Sequence, residues 1–114
     1  MRRVLLDENV PRKLRRELPE CEVKTVQEAG WGSFKNGALL AQAQKDFDVF
    51  LCADTHLKEQ QNVPRFDIGI VVIITVSLQF EVIIRAITQI RSAVARVLPG
   101  ELIEVEVPRP LRRR

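Results

Sequence analysis

The stretch "VLLDENVP", residues 4–11, points to the fold class, because it joins the end of a buried strand to the start of a helix. Three apolar residues precede Asp7, Glu8 and Asn9, and Pro11 suits the first turn of a helix. The order of apolar run, polar turn and helical pattern recurs along the chain. Strands that alternate with helices indicate parallel strands joined by crossover helices, so an α/β fold is predicted.

Five strands are expected, over residues 4–6, 21–26, 48–53, 68–74 and 103–107. Helical patterns follow Pro11, run from Asn36 to Phe47 with Asn36 as the N-cap, and run from Phe80 to Leu98. The third and fourth strands are apolar on both sides, which is typical of central strands, and the last alternates as if half exposed. The prediction is one domain over residues 1–108 with a mainly parallel sheet, followed by a basic tail, residues 109–114.

Length and composition narrow the class of protein. A chain of 114 residues with 46% hydrophobic and 29% charged residues is typical of one folded globular domain. Its longest apolar run, residues 68–74, is shorter than the ~20 residues of a membrane-spanning helix. The first apolar run breaks at Asp7, too early for a signal peptide. We therefore expect a cytoplasmic protein without a membrane partner, in which Cys21 and Cys52 are free thiols.

The net charge of +3 comes from the end of the chain. Removing the four terminal arginines, Arg109 and Arg112 to Arg114, leaves a net charge of −1. The other dense basic cluster is "PRKLRR", residues 11–16. Two interpretations stay open for these basic clusters: they are simply solvated surface, or they form a phosphate-binding surface.

Polar residues follow three of the predicted strands: Asp7, Glu8 and Asn9 the first, Asp54 the third, and Thr75 and Ser77 the fourth. The carboxyl ends of parallel strands share one edge of the sheet, where ligands bind. Carboxylates gathered there repel one another unless a proton or a cation intervenes, and their oxygens suit Mg²⁺ or Mn²⁺. Metal-assisted phosphodiester hydrolysis is one chemistry of such a site. The alternative is that these are ordinary turn acids that cap helices.

Three segments carry a family resemblance: "LLDENVPRKL" at residues 5–14, "TVQEAGW" at 25–31 with "NGALLAQAQ" at 36–44, and "VFLCADTHL" at 49–57. Together they resemble the small bacterial PIN-like proteins, over about residues 3–62. The resemblance implies a three-layer α/β sandwich and kinship with metal-dependent ribonucleases, including toxins of toxin–antitoxin pairs. It implies Asp7 and Asp54 as catalytic acids that bind Mg²⁺ or Mn²⁺, Glu8 as a further catalytic residue, and RNA or an antitoxin-like protein as partners.

Asn36 departs from this pattern, because many relatives carry an aspartate where the second crossover helix opens. A site with fewer acids binds its cation more weakly. Two interpretations of the function therefore stay open: an active ribonuclease, and a PIN-like module without catalysis that binds RNA or a protein. A homodimer is also possible for either. A third, a receiver-type phosphoacceptor, needs a lysine after the last strand, where this chain has only arginines.

Amide side chains are the predicted substrate-binding residues, since amides both donate to and accept from phosphates and bases. They are Asn9, Asn36, Gln60, Gln61 and Asn62. We expect Asp7 and Asp54 to lie in one cleft, with Asn36 and Gln61 on its rim. His56 is given no catalytic role, and Trp31 is expected to anchor a glycine-rich loop.

Overall fold

The structure, a computed structural model, describes residues 1–109. Its centre is a five-stranded sheet in the order β2-β1-β3-β4-β5, in which every neighbouring pair is parallel. The strands are β1 (Arg2–Leu6), β2 (Cys21–Thr25), β3 (Val49–Cys52), β4 (Gly69–Ile74) and β5 (Leu102–Glu106). The predicted α/β class and strand number are confirmed, and the sheet is entirely rather than mainly parallel. The predicted basic tail lies outside the described residues except for Arg109.

Helices fill the connections between the strands. They are a 3₁₀ helix at Arg12–Glu17, α1 (Asn36–Ala43), α2 (Leu57–Gln60), a 3₁₀ turn at Val63–Arg65, α3 (Phe80–Ile83), a 3₁₀ turn at Ile84–Ala86, and α4 (Ile87–Arg96). The uninterrupted helix predicted from Phe80 is wrong, because it tightens into a 3₁₀ turn after Ile83. The stretch around that turn is rich in β-branched residues, which lose side-chain freedom in an α-helix. None of the helices within residues 1–109 is long and apolar enough to cross a membrane.

Asn36 is not the N-cap of α1, so that prediction is wrong. Lys35 occupies the cap position with extended backbone angles, and Asn36 is the first residue of the helix. The reason is that the Asn36 side chain is engaged elsewhere, as a donor to Asp54, rather than folded back onto the first turn.

Both faces of the sheet are covered, which makes three layers. On face A, defined by Val4 and Leu6 of β1, the buried core includes Leu14 of the first 3₁₀ helix and Ile90 of α4. On face B, defined by Leu5, α1 and α2 cover the sheet. Parallel sheets are apolar on both sides for this reason, and the strands β3 and β4 are buried almost throughout.

The connection from β4 to β5 differs in hand from the other three. The β1–β2 connection crosses face A toward one edge of the sheet, and the β2–β3 and β3–β4 connections cross face B toward the other edge. Opposite directions on opposite faces give these three the same hand. The β4–β5 connection also runs toward that second edge but crosses face A, so its hand is reversed. Such reversals are rare, since about 98% of crossovers are right-handed.

The strand order reverses direction between β1 and β3. The chain leaves β1 outward to β2 and then returns past β1 to β3. In open α/β sheets the crevice at the carboxyl ends of the strands beside such a switch point is where ligands bind. The residues that follow β1 and β3 therefore form the candidate site.

Gly69, the first residue of β4, gives a test of how closely the last helix packs on the sheet. A Cβ placed there would lie 2.7 Å and 2.9 Å from the two γ-carbons of Val97. Gly69→Ala should therefore cost about 1–3 kcal/mol, the usual range for overpacking. In a Val97→Ala background the same change should cost less, by at least ~0.5 kcal/mol. Urea denaturation of the four proteins measures this coupling, and an equal cost in both backgrounds would show that Val97 is not the obstacle.

Candidate functional site

Asp7 and Asp54 stand at the switch point, each just beyond the end of a central strand. Leu6 pairs with Leu51 in the ladder between β1 and β3, and the backbone N–H of Asp7 continues it by donating to the Leu51 carbonyl at 3.0 Å. Asp54 follows β3 on the neighbouring strand. Strand pairing therefore fixes the backbone positions from which these two carboxylates extend.

Asp7 is half-buried, and this burial raises the pKa of its carboxyl above the ordinary aspartate range. The charges of Glu8 and Asp54 raise the pKa further, while a hydrogen bond from the Glu8 N–H to Asp7 Oδ1, at 2.9 Å, opposes the shift. Because the anion is disfavoured, a proton or a cation bound beside Asp7 is stabilised.

Asp54 is held by two donors, one on each carboxylate oxygen. Asn36 Nδ2 donates to Oδ2 and the backbone N–H of His56 donates to Oδ1, both at 2.9 Å. The first residue of α1 thus orients the acid that follows β3. The His56 imidazole is directed elsewhere, with Nδ1 3.7 Å from Glu59 Oε2 in an exposed pair.

Two glycines, Gly32 in the connection between β2 and α1 and Gly37 in the first turn of α1, lie close to the site. A Cβ on Gly32 would lie 3.0 Å from Glu8 Oε1, and a Cβ on Gly37 would lie 3.2 Å from Gln61 Oε1. Glu8 therefore packs against the connection before α1, and Gln61 packs against the first turn of α1. These contacts were not predicted, although the glycine-rich bend around Trp31 was a signal that the backbone makes a close approach there. Trp31 does anchor the bend, since its ring meets Phe47 edge-on.

The other predicted amides are more peripheral. Asn9, Gln60 and Asn62 are exposed. Gln61 and Asn62 line a groove of about 450 Å³ that extends to Leu102 of β5. The structure thus brings Asn36 to Asp54 and Gln61 to α1, but gives the side chains of Asn9, Gln60 and Asn62 no hydrogen bond to another of residues 1–109.

Thr75, which follows β4, is engaged locally. Its hydroxyl donates to the Ser77 carbonyl at 2.7 Å and accepts from the Ser77 N–H at 3.2 Å. The carboxyl end of β4 therefore contributes a hydrogen-bonded turn to the edge of the site, and the Thr75 hydroxyl is already engaged within that turn.

A buried thiol precedes Asp54 by two residues. Cys52, the last residue of β3, is fully buried, and burial with the charges of Asp7 and Asp54 raises its pKa to about 12. Cys21 is half-buried, and both cysteines are free, as expected. Cys52 is therefore a neutral core residue and not a nucleophile.

Asp7 and Asp54 are the acids of this site that could contribute ligands to a hard divalent cation. Among residues 1–109 there is no group of three or more His, Cys, Asp or Glu side chains placed to hold a metal. Mg²⁺, however, is commonly bound by one or two carboxylates together with a substrate phosphate. Asp7 Oδ2 accepts no hydrogen bond from the described part of the chain, so it is available as such a ligand. A cation site built from Asp7 and Asp54 would be weak without its substrate.

Comparisons with protein-family models, with curated proteins and with solved structures found no match to this chain. The candidate site rests on its own geometry.

Asp7→Asn should raise the melting temperature by a few degrees at neutral pH in EDTA. Because the pKa of Asp7 is raised in the folded protein, the folded state binds the proton more tightly than the unfolded state does. The stability of the wild type therefore falls as pH rises from the ordinary aspartate range through the raised pKa. Asparagine carries no charge, and its carbonyl can still accept from the Glu8 N–H.

Thermal unfolding at pH values from neutral to about 4 tests this, since the advantage of the variant should shrink toward the ordinary aspartate pKa. Asp46→Asn, at an exposed acid, serves as the control. A variant no more stable than the wild type at neutral pH would contradict the burial argument.

Asn36→Asp tests the contact with Asp54 separately. It would replace an amide donor 2.9 Å from Asp54 Oδ2 by a second carboxylate, so the melting temperature in EDTA should fall. Added Mn²⁺ should then raise it more than it does for the wild type, since a cation relieves the repulsion. Asn36→Ala removes the donor without adding charge. It should cost about 1 kcal/mol with no larger response to Mn²⁺, and equal responses in all three proteins would separate Asn36 from any cation site.

Proposed function

We propose that this protein is a metal-dependent ribonuclease of the PIN-like type that acts in the cytoplasm. The observation that supports the proposal is the placement of Asp7 and Asp54 after neighbouring strands at the switch point, with the pKa of Asp7 raised by burial and by the Asp54 charge. Such a pair favours a bound cation in a crevice where α/β proteins bind ligands.

Each residue of the candidate site has a separate role in the proposed reaction. Asp7 and Asp54 would hold Mg²⁺ or Mn²⁺, which supplies polarisation of the phosphate and a lower pKa for a bound water. Asn36 and the His56 N–H orient the Asp54 carboxylate. Glu8 is exposed beside Gly32, where its carboxylate can take a proton from the attacking water. Gln61, beside Gly37, can donate to the phosphodiester.

The proposal includes a biological setting. A small ribonuclease of this type would serve as the toxin of a toxin–antitoxin pair, and an antitoxin-like protein would then be its partner. Co-expression with the product of an adjoining small reading frame, followed by joint purification, tests this part independently of the chemistry.

A second candidate function is a PIN-like module that binds RNA or protein without cleaving it. The observation that favours it is the amide of Asn36 on Asp54, where the resemblance implies an acid, together with the small number of acids at the site. The two candidates differ in metal affinity and turnover, so calorimetric titration with Mn²⁺ separates them.

The receiver-type alternative has one point in its favour, because the strand order 2-1-3-4-5 is also found in receiver proteins. Two observations oppose it. In a doubly wound sheet whose connections share one hand, the β4–β5 connection would cover face B, whereas here it covers face A. Residues 107–109, which follow β5, include no lysine.

Cleavage of single-stranded RNA should require Mn²⁺ or Mg²⁺, and Asp7→Asn or Asp54→Asn should each lower its rate by about 10²-fold or more. Gel analysis of a labelled oligoribonucleotide, with and without EDTA, measures this. Asp46→Asn provides the matched control, since it removes an exposed acid outside the site. Activity that survives EDTA or either site variant would refute the assigned roles, and RNA binding with no cleavage would favour the second candidate.

A further inference from the structure

A large groove on face A lies between the first 3₁₀ helix and the segment that leads into α3. It encloses about 970 Å³, and Arg12, Lys13, Arg15 and Arg16 line one wall. The other wall is formed by residues 78–81. We call this surface, residues 11–16 and 78–81, the basic groove. The proposed ribonuclease reaction assigns it no role.

Three of the four cations in the basic groove have no acidic partner in the described part of the chain. Arg15 is paired with Glu28, which also accepts from the Thr25 N–H and is thereby fixed in place. Arg12, Lys13 and Arg16 form no ion pair with any of residues 1–109. Glu81 is the remaining acid that lines the groove beside Glu28. The groove therefore carries a net positive charge and attracts an anionic occupant.

The 3₁₀ winding arranges the cations in two rows. With three residues per turn, side chains at i and i+3 stand one above the other, so Arg12 lies over Arg15 and Lys13 over Arg16. The third row contains Leu14, which is buried against the sheet. At a rise of about 2.0 Å per residue, the Cα atoms from which the side chains of one row extend are ~6 Å apart. That spacing is close to the separation of successive phosphates in an extended nucleic-acid strand.

Both walls of the basic groove begin at the edge of the sheet that holds the acids. The turn before the 3₁₀ helix is closed by a hydrogen bond from the Val10 N–H to the Asp7 carbonyl at 3.1 Å. The opposite wall follows β4, the strand next to β3, which leads to Asp54. Asp7 and Asp54 do not line the groove themselves. A chain that left the groove at this end would reach the edge of the sheet from which both acids extend.

We propose that the basic groove binds the sugar–phosphate backbone of single-stranded RNA and leads it to the Asp7–Asp54 pair. This inference rests on the proposed ribonuclease function and names its substrate path. The row of Lys13 and Arg16, in which both cations are unpaired, has the spacing of a phosphate backbone. The side chains of Leu78, 46% exposed, and Phe80 offer apolar surface for ribose or base. Contacts of this kind give affinity without sequence preference.

The test is the salt dependence of RNA binding in EDTA, where no metal-dependent cleavage occurs. The probe is a short fluorescein-labelled oligouridylate, followed by fluorescence anisotropy at several salt concentrations. The groove variant, Arg12→Gln with Lys13→Gln and Arg16→Gln, should reduce the slope of log K against log[salt] by about 2, at ~0.7 per lost phosphate contact. A charge-preserving variant, Arg12→Lys with Arg16→Lys, should keep the wild-type slope.

The matched control removes the same number of positive charges elsewhere: Lys45→Gln, Arg65→Gln and Arg96→Gln. These residues are exposed and do not line the basic groove. Circular dichroism shows whether each variant folds. A reduced slope for the groove variant with a control slope close to the wild type would support the proposal. Equal losses of slope in the groove and control variants would overturn it. Tighter binding of poly-glutamate than of the oligouridylate would also overturn it, in favour of an acidic protein segment.

Failure of this inference is distinguishable from failure of the ribonuclease proposal. RNA binding that depends on the groove cations, without cleavage in Mn²⁺, would support the basic groove and refute the ribonuclease proposal. If the groove variant cleaves RNA in a metal-dependent reaction with an unchanged KM and an unchanged salt slope, the ribonuclease proposal is supported and the role of the basic groove is refuted.

Discussion

The rest of the structure depends on the need to cover both faces of a parallel sheet in a short chain. All five strands run the same way, and the inner strands are apolar on both sides. The β1–β2 connection contributes only a short 3₁₀ helix to face A. The segment from α3 to α4 must therefore return over that face to complete it. The reversed hand of the β4–β5 connection follows from this shortage of cover.

The same parallel arrangement creates the electrostatic character of the site. Every strand delivers the residues after it to one edge, so acids that are distant in sequence meet where the sheet order reverses. Burial, together with the charges of Glu8 and Asp54, raises the pKa of Asp7. Asn36 and the backbone of His56 offset part of the charge on Asp54 by donating to it. The fold thus tolerates the pair at an electrostatic cost, while Arg12, Lys13, Arg15 and Arg16 line a separate groove on face A.

The strands were predictable from the sequence because short apolar runs bounded by polar turns are typical of strands buried in a parallel sheet. The winding of residues 12–17 was not, since six residues show too little periodicity to separate a 3₁₀ helix from an α-helix. Asn36 was expected on the rim of the cleft with Asp54, but its hydrogen bond to Asp54 was not predicted. Capping is a local signal, whereas this contact spans 18 residues. The approach of Gly32 to Glu8 likewise depends on tertiary packing that no single segment encodes.

The reversed connection also has a consequence for the order in which the protein can fold. Arg2 donates to the Val97 carbonyl at 2.8 Å, and the core of face A joins Leu14 and Leu18 to residues of α4. The first strand therefore lacks part of its cover on face A until α4 has been made. Contacts between residues so far apart in sequence slow folding. On the ribosome, the face A side of β1 would stay partly uncovered until α4 had left the exit tunnel, and this interval is the natural point for a chaperone or a binding partner to act.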